Sequence, residues 1–117
     1  MSKIKIQPAA GKSSFAIALS FLNHLTHTIG RPLEYSTGVE QYHTLARVVR
    51  DQVMENSIAT IESYKHRNVR LVAYLSAEYL LGPHLLHDLL NLGLTQECDK
   101  ALRKPGLGLT AVATQEP

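Results

Sequence analysis

One seven-residue run, VRLVAYL at residues 69–75, constrains this chain more than any other feature. It is β-prone and largely apolar, and it reads as a strand buried on both faces. Nothing else in the 117 residues has that character. A buried strand needs partners for its backbone N–H and C=O groups. Parallel partners come with later βαβ crossovers, which this sequence does not contain. The run therefore predicts part of a larger α/β domain, here mostly α-helical with one principal β-strand near 69–75.

The surroundings have helical period. Ser13 or Ser14 can cap a helix running to about Ile29, with Phe15, Ile17, Ala18, Phe21, Leu22, Leu25 and Ile29 as its apolar stripe. Gly30 stops it and Pro32 keeps it stopped. Thr37-Gly38-Val39-Glu40 has the form of a capping box. From Val39 to about His66 there is no glycine or proline, and apolar residues recur at helical spacing from Val39 through Val53 to Tyr64. That predicts one long helix, or two nearly collinear ones, on the order of 40 Å at 1.5 Å per residue. Lys65, His66 and Arg67 suit the dipole at its C-terminal end. After the strand, residues 76–81 form a turn or short helix ended by Gly82-Pro83, and 84–92 a leucine-rich helix. Thr95 caps a short helix over 96–103, and 110–115 begin another. Residues 1–12, with Pro8 and Gly11, read as a flexible tail.

Composition removes several function classes. The net charge of +2 is scattered, with no basic stripe and interleaved aromatics, so nucleic-acid binding has no support. No stretch approaches the roughly 20 apolar residues of a membrane span. Lys3, Lys5 and Lys12 before the apolar run at 15–22 faintly resemble a signal peptide. However, Ser20 and Asn23 interrupt that run, and His24 and His27 stand where small residues should. Cys98 is the sole cysteine, so no intrachain disulfide forms, and a cytoplasmic setting fits.

The chemistry-bearing residues are few. His24 and His27, three apart on one helix face, lack a carboxylate or thiol to complete a metal site; His84, His87 and Asp88 sit among leucines. Structural roles are favoured for both groups. Gly11-Lys12-Ser13 ends like a P-loop, yet Ile6 occupies the required glycine position. Cys98 lies between Glu97 and Asp99, which disfavour a thiolate. Glu78 stands apart: it follows the C-terminal end of the expected strand, where open α/β sheets bind ligands, among Tyr74, Tyr79 and Leu80. Two roles are open to it, a ligand-facing carboxylate or a brace accepting backbone hydrogen bonds.

With these residues in view, the chain resembles the N-terminal region of the α-glucan (glycogen, starch, maltodextrin) phosphorylases. The resemblance rests on His24-Leu25, Tyr42, Arg50-Asp51, Thr60, Tyr64, YLSAEY at 74–79, Gly82 and NLGL at 91–94. The tail Gly106-Leu107-Gly108-Leu109 with Gln115-Glu116-Pro117 extends it. It covers about residues 15–117 and is nearest to bacterial members. It implies the GT-B fold, two Rossmann-like domains facing a cleft, with 13–117 an incomplete N-terminal portion of the first. It further implies a glycosyltransferase that phosphorolyses α-1,4-glucan ends to glucose 1-phosphate, using pyridoxal phosphate held by a lysine far downstream.

By that resemblance Glu78 supports the active site by steadying a glycine-rich loop. No catalytic or cofactor-binding residue carries over, and no bound cofactor is expected here. Regulation by AMP is not implied, since Ser57, Ile61, Glu62 and Lys65 stand at the corresponding positions. Ser57 in place of a common tryptophan, and Leu86-His87-Asp88 in place of Gly-Asn-Asn, depart from the family pattern. Two expectations follow: a phosphorylase N-terminal fragment inactive alone, or a non-enzymatic module that dimerises or pairs with a full-length phosphorylase. A stand-alone helical domain is disfavoured by the unpaired strand. In isolation, the exposed apolar surface is expected to promote association.

Overall fold

The computed structural model describes residues 13–78 and 82–117. The tail over 1–12 and residues Tyr79 and Leu80 lie outside the described residues. Helix α1 spans Ser14–His24 and starts where Ser13 Oγ accepts from the Ala16 N–H at 3.2 Å. One π-helical turn, Leu25–Ile29, continues it. The Leu25 carbonyl then accepts from both Gly30 and Arg31, with Gly30 at φ 79°, a left-handed geometry that closes a helix without a Cβ penalty.

After a 3₁₀ turn, Leu33–Tyr35, helix α2 runs for 30 residues, Gly38–Arg67. The capping box forms as expected. Glu40 N–H donates to Thr37 Oγ1 at 3.2 Å, and Thr37 N–H donates to Glu40 Oε1 at 3.1 Å. Asn68 ends α2 in the left-handed conformation. Helices α3 (Leu85–Leu92), α4 (Thr95–Arg103) and α5 (Leu109–Ala113) follow.

The core joins all five helices: Phe21 and Ile17 of α1, Leu45 and Val49 of α2, Leu89 of α3, Leu102 of α4 and Val112 of α5 are buried together. Only the first half of α2 takes part. Thr44, Leu45, Val48, Val49 and Gln52 are its buried residues, whereas Val53, Ile58, Ile61 and Tyr64 are about half exposed. The apolar stripe read along the whole helix is therefore covered over only half its length, because no other described element lies alongside the rest.

Two expectations are corrected. Residues 69–75 are not a strand, and among the described residues no β-strand forms. The reason is the one that made the run conspicuous: no other described residue pairs with its backbone, so sheet hydrogen bonds do not form. Thr95 does not cap α4; it is the first residue of that helix, with its hydroxyl buried and unbonded. Leu94 takes the cap position because its N–H closes α3 on the Leu89 carbonyl while its buried side chain enters the core. The further helix expected from 110 is present as Leu109–Ala113.

Candidate functional site

Helix α3 begins without a capping side chain of its own, because His84 precedes it. Its first N–H groups still need acceptors. Glu116 supplies them from the far end of the chain. One carboxylate oxygen accepts from His84 N–H at 3.0 Å and the other from Leu85 N–H at 3.1 Å. Tyr42 of α2 lines the same cavity as this carboxylate and acts on it electrostatically. Burial pushes the Glu116 carboxyl upward; the two backbone donors and Tyr42, with His84 nearby, outweigh that and hold it below its ordinary value. Tyr42 is in turn raised, by burial and by the Glu116 and Asp88 charges.

The approach of the chain end to α2 is close, since a Cβ on Gly38 would meet the Gln115 side chain at 3.1 Å. Beside this joint lies a cavity of about 250 Å³ lined by Tyr42, Ala46, Val49, Arg50, Val53, Leu85, Asp88 and Glu116. An open groove lies between Leu33, Glu34, Gln41, Pro105 and Leu107.

A second polar joint ties α1 to α2. His24 Nε2 lies 2.6 Å from Asp51 Oδ2, and His24 Nδ1 lies 3.0 Å from Thr28 Oγ1. His24 is thus committed to the helix interface. His27 Nδ1 faces the Asn23 carbonyl instead, so the two histidines do not converge. Among the described residues no group of three or more His, Cys, Asp or Glu side chains could hold a metal. Cys98 is buried in the core, where its thiol is shielded from electrophiles in solution.

Glu78 is exposed at the end of the irregular segment. Its N–H donates to Ser76 Oγ at 3.1 Å, a local turn contact, and no described side-chain partner engages its carboxylate. Glu78 does not line the cavity at the Glu116 joint. The described lysines Lys65, Lys100 and Lys104 are exposed and line neither cavity, and Lys104 lies over the Phe15 ring. These residues do not fit pyridoxal phosphate, which needs an amine to hold its aldehyde and cations for its phosphate.

Glu116 is the residue that sequence reading missed. Its partners lie more than thirty positions away, and no periodicity connects them. The available signal was the helix at 85 with no Ser, Thr, Asp or Asn before it.

No family model matches the chain. It is 35% identical over 99 residues to the glycogen phosphorylase of Synechocystis sp., covering 85% of this chain and 12% of that protein. It is 33% identical over 108 residues to the brain-form glycogen phosphorylase of Bos taurus, covering 92% of this chain and 13% of the relative. The liver form of Homo sapiens is 32% identical over the same length. The chain spans about an eighth of the length of the curated relatives it matches. No described helix is long and apolar enough to cross a membrane. An identity of this size across nearly all of the described helices, which include the paired His24 and Asp51, makes this chain a member of the glycogen phosphorylase family that corresponds to its N-terminal segment.

Proposed function

We propose that this chain is the N-terminal portion of a glycogen phosphorylase and that it carries out no phosphorolysis by itself. In the whole enzyme it serves the conversion of α-1,4-glucan and inorganic phosphate to glucose 1-phosphate. The observation that carries this reading is the disparity of coverage: nearly all of this chain matches, against 12–13% of each relative. Electrostatic preorganisation around a transferring group needs several convergent charges. Glu78, exposed and without a described side-chain partner, lacks such company.

Within the parent enzyme, residues 13–117 form an incomplete part of the N-terminal domain, and Glu78 supports the active site. Pyridoxal phosphate belongs to the parent enzyme's remaining sequence, and the setting is cytoplasmic. The exposed Val72, Tyr74 and Leu75 also favour a second reading, in which the chain pairs with a full-length phosphorylase without catalysing anything.

The test is phosphorolysis by the purified chain with maltodextrin, phosphate and pyridoxal phosphate. The expected result is no glucose 1-phosphate above background; steady production would overturn the reading.

A further inference from the structure

We draw no further inference here: the strongest candidate, the open cavity of about 250 Å³ between α2 and the start of α3 lined by Tyr42, Arg50, Asp88 and Glu116, belongs to the joint already described, and nothing in the structure shows what covers its open side in a chain that spans about an eighth of its relatives' length.

Discussion

His24 Nε2 of α1 lies 2.6 Å from Asp51 Oδ2 of α2, joining two residues separated by 27 positions. Both belong to the short signatures that carry the family resemblance, and in the fold they are one contact. A signature residue here marks a helix junction rather than a catalytic group. The pair is only partly buried, so its coupling is modest. A double-mutant cycle of His24→Ala and Asp51→Ala, measured by urea unfolding, is expected to give a coupling of about 0.5–1 kcal/mol. Strictly additive effects would show that the contact contributes nothing.

The Glu116 joint predicts acid sensitivity. Its carboxyl is held below the ordinary value near 4.5 in the folded chain, so the unfolded state binds the proton more readily. The contribution to stability is fully present above the unfolded value and is lost as pH falls through the lower folded one. His84, Tyr42 and Asp88 are the titratable groups nearby, and Arg50 shares the cavity. Glu116→Gln is expected to cost about 1 kcal/mol at neutral pH, the scale of a lost helix cap, and to flatten the decline below pH 4.5. Urea midpoints across that range check it; a variant with an unchanged acid profile would remove Glu116 from the account.

The two halves of α2 and its neighbours should respond differently to truncation. Phe21, 1% exposed in the core, is expected to lose about 3–5 kcal/mol on replacement by alanine. Ile58→Ala, on the outward half of α2, is expected to stay within about 0.5 kcal/mol in the monomer. A large loss at Ile58 in dilute solution would mean that this half of the helix is covered.

Hydrogen exchange reads the irregular segment directly. Amides of residues 69–76 are expected to exchange near the unprotected rate in dilute chain, while those around Leu45 and Val49 are protected to the level of global unfolding. Slow exchange across 69–76 in dilute monomer would contradict the fold described above.

Thr37→Ala removes the acceptor for the Glu40 N–H and is expected to cost about 1 kcal/mol of stability. Thermal unfolding followed by circular dichroism measures it, and an unchanged midpoint would leave the capping box without energetic weight.

Sequence by itself determined where the first two helices begin and where the first stops. Ser13, Thr37 with Glu40, and Gly30 act through neighbours within a few residues, and local hydrogen bonding decides such features wherever the chain is placed. The signatures YLSAEY at 74–79 and NLGL at 91–94 likewise pointed to the family. Tertiary structure alone decided what required distant partners. Thr95 lost its capping role to Leu94 because core burial set the chain path there. Glu116 found His84 and Leu85 across more than thirty residues. Residues 69–75 have strand character that no local rule could fulfil, since a strand exists only by hydrogen-bonding another, and none of the described residues pairs with it.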